Sequence, residues 1–316
     1  MASTKHFLDP ELLPLIDQAV DITLTDERVA RERITPSFPK PPVGDAESVG
    51  VSRDEIIVAV SRGSDVRCLL YKPLAETEHQ RPGYLHIHGG GYVFGTPEGS
   101  DAINLKICSE LSVVIVSVDY RLAPEHPVPA PLDDCYAALA WLHDNAGELN
   151  VDVSRIGIGG ESAGGGLAAA LAIKARDENQ YPICCQQLTY PMLDDRTGSS
   201  EHPGDPLVGE FVWTRHSNQY AWNAYLGDAP RAAPDVPARA ASLAGLPPTW
   251  MHTVTLDLFR DENIDYANRL MAAGVHTELS VFPGACHGYQ GVPDTDLVRR
   301  FVRDFMEALA RGLSVN

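Results

Sequence analysis

The chain has 316 residues, 44% of them hydrophobic, so it is long enough to bury one large core. Its 43 acidic and 25 basic side chains give a formal net charge of −18, which disfavours binding to nucleic-acid phosphates and anionic membranes. No stretch approaches 18 consecutive apolar residues, and the first ten residues lack the apolar segment of a signal peptide. The six cysteines show no C-x-x-C spacing, which favours free thiols in a reducing compartment. We therefore expect a cytoplasmic protein with no nucleic-acid partner and no membrane insertion.

The predicted elements begin with two helices, at 11–20 and 25–33, and a proline-rich linker at 36–42. After them, short apolar runs alternate with helical patterns, which predicts an α/β fold with a mostly parallel eight-stranded sheet flanked by helices. The first two strands are expected to be antiparallel at the sheet edge. The predicted strands are 56–60, 66–71, 84–88, 113–119, 156–158, 186–190, 249–255 and 278–282. The later predicted helices are 102–111, 132–145, 163–176, 261–273 and 295–313.

The alternation breaks between residues 194 and 245, where polar, glycine- and proline-bearing residues surround several aromatic side chains. We interpret this insertion, packed with the N-terminal helices, as a helical cap over the site. The expected organisation is a first part of the cap at 1–45, a core at 46–193, the cap insertion at 194–245 and the rest of the core at 246–316.

The most informative motif is Gly160-Glu-Ser162-Ala-Gly164, which follows a strand-like run and precedes an alanine-rich helical one. A serine between two glycines at a strand-to-helix turn describes the nucleophile elbow of an α/β-hydrolase. The turn strains the serine backbone and lifts its Oγ above the sheet. We therefore predict that Ser162 is a catalytic nucleophile.

A glycine triplet, Gly89-Gly90-Gly91, follows the strand predicted at 84–88. Without side chains, its backbone N–H groups can turn towards a developing negative charge, and the N–H of Ala163 would complete the oxyanion hole. The alternative, a flexible loop, is weaker because glycines between a strand and an aromatic residue make poor linkers.

The base and the orienting acid are predicted downstream of the serine. His287 and Asp257 each follow a predicted strand, and the order Ser162, Asp257, His287 is that of α/β-hydrolases. Asp261 and Glu262 compete for the role of the acid, although both also suit the first turn of the next helix.

His88 could be mistaken for the base, but we expect it to brace the glycine triplet by hydrogen bonding. Together with His86 it could suggest a metal site, yet no third ligand is evident, so no metal is expected. Cys286, beside the predicted base, is interpreted as a small side chain in a tight loop rather than as a nucleophile.

Several ordered motifs together resemble the hormone-sensitive-lipase-like carboxylesterases, bacterial family IV of the α/β-hydrolase superfamily. The motifs are His88-Gly-Gly-Gly91, Tyr120-Arg-Leu-Ala-Pro-Glu125, Pro129-Ala-Pro-Leu-Asp-Asp134, Gly160-Glu-Ser-Ala-Gly164, Asp257-Leu-Phe-Arg-Asp-Glu262 and His287-Gly288. The resemblance implies a carboxylic ester hydrolase with a helical cap, no cofactor, and oxyanion donors from Gly90, Gly91 and Ala163. This sequence departs from the commoner family pattern at Glu161, Leu258 and Tyr289.

From these observations we expect two-step acyl transfer through an acyl-enzyme, with a small-molecule ester as substrate and a preference for short acyl chains. His88 and Glu161 are expected to support the site. The residues predicted to line the substrate pocket are Tyr92, Phe211, Trp213, Leu258 and Tyr289.

Two other functions of the same fold stay open: an amidase or peptidase, and a non-catalytic ligand-binding protein. A dinucleotide-binding fingerprint is disfavoured because the position of its third glycine holds Ser162. Pairing across the last predicted strand, 278–282, makes a homodimer possible.

Overall fold

Eight strands form one sheet in the computed structural model, which describes residues 3–18, 23–29, 43–61 and 63–315. The strands are β1 Val51–Val58, β2 Val66–Pro73, β3 Arg81–Ile87, β4 Val114–Val118, β5 Val151–Glu161, β6 Cys185–Thr189, β7 Thr249–Val254 and β8 Thr277–Phe282. Their order is β1-β2-β4-β3-β5-β6-β7-β8. The pairs β1–β2 and β2–β4 are antiparallel and all the others are parallel, which confirms the predicted fold class.

Helices cover both faces of this sheet, and the strands are apolar for that reason. In β4, Val114, Val116 and Val118 pack into one core and Ile115 packs into the other, because side chains alternate along a strand. The first core includes α3 Ala130–Asp144, α4 Ala163–Glu178 and α6 Arg260–Ala272. The second includes α2 Asp101–Leu111 and α7 Asp296–Gly312. None of the helices in the described ranges is long and apolar enough to cross a membrane.

The N-terminal segment differs from its prediction in part. A 3-10 turn at Pro10–Leu12 precedes a short helix, α1 Leu13–Gln18, where one continuous helix at 11–20 was expected. Pro10 starts the turn, and Asp9 caps it by accepting a hydrogen bond from the N–H of Glu11. Residues 26–29 are helical, whereas the remainder of the helix predicted at 25–33 and the linker at 36–42 lie outside the described residues.

The N-terminal segment is bound to the insertion between β6 and β7, which contains helix α5 Arg215–Leu226. The hydroxyl of Ser3 and the backbone N–H of Thr4 both donate to the carboxylate of Glu210 at 2.6 Å. Leu8 packs against Phe211 in a small apolar cluster. The first residues of the chain therefore help to fix the segment that leads into α5.

Candidate active site

Ser162 lies at the junction between β5 and α4, at the carboxyl edge of the sheet. Its backbone has φ 56° and ψ −120°, a conformation that L-residues rarely adopt. Hydrogen bonds hold it there: its N–H donates to Thr189 O, and its carbonyl accepts from the N–H groups of Gly166 and Met192. The strained turn is therefore fixed from both sides.

The glycines of the motif allow α4 to approach the end of β3 closely. A Cβ on Gly160 would overlap the carbonyl oxygen of Ile87, and one on Gly164 would overlap the carbonyl oxygens of Ile87 and His88. Neither contact can be relieved by a side-chain movement, because the obstructing atoms are backbone. The spacing of the motif thus reflects the packing around the serine.

His287 lies between Ser162 and Asp257. Its Nε2 is 2.9 Å from Ser162 Oγ, and its Nδ1 is 2.8 Å from Asp257 Oδ2. The other carboxylate oxygen of Asp257 accepts from the N–H of Phe259 at 3.0 Å, and the side chain is almost fully buried. A buried carboxylate on Nδ1 favours the tautomer in which Nε2 can accept a proton from the serine.

The two competing carboxylates have other contacts. Asp261 is exposed in the first turn of α6 and forms an ion pair with Arg260. Glu262 is buried, and its Oε1 accepts from the N–H groups of Leu193 and Asp194. Burial raises the pKa of Glu262 well above its usual value. Glu262 therefore anchors the chain after β6 rather than contacting the histidine.

The glycine triplet turns its backbone towards the serine. Gly90 and Gly91 have φ of 123° and 59°, and both help to line the cavity at Ser162. Within the described residues, neither N–H donates to a protein acceptor. Ala163 is the first residue of α4, where backbone N–H groups have no partner within the helix and the helix dipole favours negative charge. These three amides can serve as oxyanion donors.

His88 braces the start of the triplet. Its ring stacks on Tyr120 with 4.3 Å between the centroids, and its Nδ1 lies 2.7 Å from Gly89 O. Burial lowers the pKa of His88, so the ring stays neutral and Nδ1 donates to this carbonyl. The hydroxyl of Tyr120 in turn donates to His88 O at 3.0 Å.

Glu161 links the serine motif to the same loop. Its Oε1 accepts from Gly89 N at 3.1 Å and from Ser100 Oγ at 3.0 Å, and its Oε2 is 3.2 Å from His86 Nε2. The side chain of Glu161 is 32% exposed and lines two cavities. Burial alone would raise the pKa of Glu161, but the charge and hydrogen bond of His86 and the two other donors hold the pKa below its usual value.

The cavity at Ser162, which we term the catalytic cavity, has a volume of about 240 Å³. Besides the residues already described it is lined by Phe94, Tyr190, Val212 and Trp213. Trp213 was predicted to be there. Its ring lies against Gly91, so closely that a Cβ on this glycine would overlap it.

Four residues expected in the pocket do not line the catalytic cavity. Tyr92 stacks on Tyr225 and donates its hydroxyl to Met192 O, and the hydroxyl of Tyr289 is hydrogen-bonded to His252 Nε2. Phe211 packs in the small apolar cluster with Leu8, and Leu258 is buried against Gly209. Each points into a packed interior, where an aromatic ring or a leucine is stabilised by burial.

The sequence analysis missed Phe94, Tyr190 and Val212. Tyr190 could have been found, because it directly follows β6 at the sheet edge where α/β proteins bind their ligands. Phe94 and Val212 lie in loops whose direction no local pattern specifies.

All six cysteines are free thiols. Cys286, beside His287, is fully buried, and burial raises the pKa of its thiol to about 12. A thiol in this state is a poor nucleophile, which leaves the serine as the reactive group in the cavity.

Comparison with known proteins agrees with this geometry. Residues 84–291 match the model of a family described by the alpha/beta hydrolase fold. Carboxylesterase NlhH of Mycobacterium tuberculosis is 36% identical over 288 residues, which cover 89% of this chain and 88% of the relative. Esterase LipI of the same species is 33% identical over 296 residues, which cover 92% and 90%.

Among solved structures, a bacterial heroin esterase is similar over 98% of this chain and 99% of its own, with a TM-score of 0.90 and 38% identity. An esterase LipW from Mycobacterium marinum is similar over 98% and 96%, with a TM-score of 0.84 and 34% identity. The chain therefore belongs to the α/β-hydrolase family, in its hormone-sensitive-lipase-like branch of carboxylesterases.

Proposed function

We propose that the protein hydrolyses carboxylic esters by two-step acyl transfer with Ser162, His287 and Asp257 as its catalytic triad. The observation that carries this proposal is the position of His287, whose two ring nitrogens lie within 2.9 Å of the serine hydroxyl and the buried carboxylate. An imidazole held in this way can remove the serine proton and then release it to a leaving group.

In the first step Ser162 Oγ bonds to the ester carbonyl carbon while its proton passes to His287 Nε2. The carbonyl oxygen becomes an oxyanion between the N–H groups of Gly90, Gly91 and Ala163. The bond from carbon to the alcohol oxygen then breaks, and the alcohol leaves with the proton from His287. Water repeats the sequence on the acyl-enzyme and releases the carboxylic acid.

A short acyl chain suits the catalytic cavity. Its volume of about 240 Å³ is below the range of about 300–1,000 Å³ typical of small-molecule pockets. Phe94 and Trp213 limit it beside the glycine triplet, and Val212 limits it beside Gly288. We therefore expect acetate and butyrate esters to be better substrates than palmitate esters.

We also propose that residues 1–45 and the insertion 194–245 act as the cap of this cavity. Val212 and Trp213 of the insertion line the cavity, and the N-terminal segment is hydrogen-bonded to the same stretch through Glu210. Part of the N-terminal portion, residues 19–22 and 30–42, lies outside the described residues.

A fluorophosphonate probe tests the chemistry, because it reacts only with an activated serine. The wild-type protein is expected to gain one label, on Ser162, and to hydrolyse 4-nitrophenyl acetate. Ser162→Ala should remove both properties and lower turnover by roughly four to six orders of magnitude without lowering the melting temperature. Hydrolysis retained in Ser162→Ala would refute the proposal.

The same experiment separates the alternatives. A non-catalytic ligand-binding protein would neither react with the probe nor turn over the ester. An amidase or peptidase would be labelled and would also turn over the matched 4-nitroanilide, whereas the proposed esterase should hydrolyse the 4-nitrophenyl ester and leave the anilide essentially intact.

We further propose a homodimer formed through β8. This strand ends the sheet, so among the described strands only β7 pairs with it, and Val281 on it is 38% exposed. An open edge of this kind pairs readily with a second copy. Light scattering should give twice the monomer mass, and Val281→Pro, which removes a backbone donor that faces the open edge, should give the monomer.

A further inference from the structure

A second cavity, which we term the rear chamber, adjoins the catalytic cavity behind the serine motif. Its volume is about 370 Å³, within the range of small-molecule pockets. It lies between α2 and α7, on the face of the sheet opposite α4. Its apolar wall consists of Ile103, Val298, Phe301, Val302 and Phe305.

The two cavities share two lining residues, Glu161 and Tyr190. The carboxylate of Glu161 is fixed by its three contacts with His86, Gly89 and Ser100. The Tyr190 hydroxyl instead makes one side-chain hydrogen bond, to Gln290 Oε1 at 2.6 Å. Both side chains separate the cavities, and Tyr190 is held by fewer polar contacts than Glu161, although its ring is buried.

Most polar groups of the rear chamber are already paired with each other, because Glu161 accepts from Ser100 and contacts His86, and Gln290 accepts from Tyr190. Lys106, also in its lining, forms an ion pair with Glu110 on the same helix. The buried hydroxyl of Tyr84 has no partner among the described residues, so the chamber offers a ligand one free polar group and the apolar wall. A hydrocarbon chain or an aromatic ring is the group that gains most from binding there.

The position of Tyr190 indicates which portion of an ester, the acyl group or the alcohol, would enter the rear chamber. Its ring packs against His287 with 4.5 Å between the centroids, whereas the ring of Trp213 is farther from His287, at 6.2 Å, and lies against Gly91. The leaving alcohol oxygen must come within reach of His287 Nε2 to receive its proton. The alcohol arm is therefore directed to Tyr190 and the acyl arm to Trp213.

We propose that the rear chamber binds the alcohol portion of the substrate and that Tyr190 is the passage residue. This inference rests on the proposed function and narrows it to esters that join a small acyl group to a large apolar alcohol. Selectivity for the acid would then come from the small catalytic cavity, and selectivity for the alcohol from the chamber.

Two isomeric esters, which contain the same groups and are about equally hydrophobic, test this assignment. In 4-phenylbutyl acetate the large group is on the alcohol, and in methyl 5-phenylpentanoate it is on the acid. Acid release followed at constant pH gives kcat/KM for each, with methyl acetate as the small reference. The wild-type protein is expected to prefer 4-phenylbutyl acetate to its isomer at least tenfold. Equal values, or the opposite preference, would overturn the proposal.

Filling the chamber should remove this preference. Val302→Trp is expected to lower the ratio of kcat/KM for 4-phenylbutyl acetate over methyl acetate at least tenfold. The matched control is Arg303→Trp, the next residue of α7, whose side chain is 62% exposed and outside the chamber lining, and which should leave the ratio unchanged. If Val302→Trp does not fold, Ile103→Trp fills the chamber from α2. A folded variant with an unchanged ratio, or with the loss confined to methyl 5-phenylpentanoate, contradicts the assignment.

Opening the passage should have the reverse effect. Tyr190→Ala joins the two cavities, so the same ratio is expected to rise severalfold even if overall turnover falls through altered packing on His287. An unchanged or lower ratio would refute the role of Tyr190. Methyl acetate hydrolysis that depends on Ser162 reports the proposed function separately, so a failed chamber test with normal methyl acetate turnover overturns this inference alone.

Discussion

The Nδ1 atom of His287 lies 2.8 Å from Oδ2 of Asp257, whose side chain is 1% exposed. The carboxylate comes from the loop after β7 and the imidazole from the loop after β8, so two neighbouring parallel strands set their separation. Because the pair is shielded from water, its geometry persists when the proton moves to Nε2.

Asp257→Asn is expected to lower kcat for 4-nitrophenyl acetate by about four orders of magnitude, because the amide no longer favours the required tautomer of His287. The shape of the side chain is kept, so the melting temperature should change little. Asp261→Asn is the matched control, since that carboxylate is exposed and contacts Arg260, and it should change kcat by less than about twofold. Similar losses in both variants would contradict the assignment of the acid.

Gly91→Ala is expected to lower kcat by about 10²- to 10³-fold, the usual loss when an oxyanion donor is displaced. The new methyl group would overlap the Trp213 ring, and the backbone has a φ of 59° that alanine adopts with strain. Adding Trp213→Leu should restore part of the activity, because it removes the overlap but not the strain. Gly147→Ala, whose added methyl group meets no atom within 4 Å, is the control and should leave kcat nearly unchanged.

Glu161 is a positioning residue for the glycine triplet. Replacing it with Gln or with Ala should show whether its hydrogen bonds or its charge matter more for activity. Glu161→Gln keeps an acceptor for Gly89 N and Ser100 Oγ, so kcat should fall only severalfold, whereas Glu161→Ala should lower it at least tenfold more. Equal activity of the two variants would argue against this role.

The charge of Glu161 should also appear in the pH dependence of stability. Its pKa is lowered in the folded protein, so the carboxylate stabilises the fold above its ordinary pKa near 4.5, and this contribution is lost as the pH falls through the lowered value. The difference in unfolding free energy between wild type and Glu161→Gln is expected to be larger at pH 7 than at pH 3. Denaturant unfolding at both pH values measures it.

His252 should also affect the pH dependence of stability, but here the cause is burial rather than a charged partner. Burial, with a smaller effect of Arg300, lowers its pKa from 6.5 to about 3, so the folded protein keeps this ring neutral. The unfolded chain takes up the proton below about pH 6.5, and stability is therefore lost as the pH falls from there towards 3. Between pH 7 and pH 4 this loss is about 3 kcal/mol.

His252→Gln removes that titration. Relative to the wild type, the variant is expected to be destabilised at pH 7, where it loses packing in β7 and the hydrogen bond with Tyr289, and the deficit should shrink or reverse at pH 4. His79→Gln, at an exposed position, is the control and should show no such change. A deficit that is the same at both pH values would contradict the prediction.

The elements predicted most accurately are those whose sequence pattern is compatible with a single local structure. The alternation of apolar runs and helical patterns specified the sheet and its helices, and the glycine spacing around Ser162 reflects backbone contacts that admit no other residue. The start of β1 was placed five residues late because Ser52, Arg53 and Asp54 lie in an antiparallel edge strand, where polar side chains face solvent.

The pocket was predicted less well. Tyr92 and Tyr289 were chosen because they adjoin motif residues, yet their rings pack away from the cavity. The direction of such a side chain depends on tertiary neighbours far away in sequence, such as Tyr225 and His252. For the same reason no pattern in the sequence revealed the rear chamber, whose wall comes from two helices about 200 residues apart.

The hydrogen bonds of Ser3 and Thr4 to Glu210 have a practical consequence for work with this enzyme. Glu210 is two residues from Val212 and three from Trp213, which both line the catalytic cavity. A purification tag or a proteolytic cut close to Ser3 would disturb this attachment and, through it, the wall that meets the acyl group. Substrate profiles should therefore be compared between preparations tagged at opposite ends before any preference is attributed to the enzyme itself.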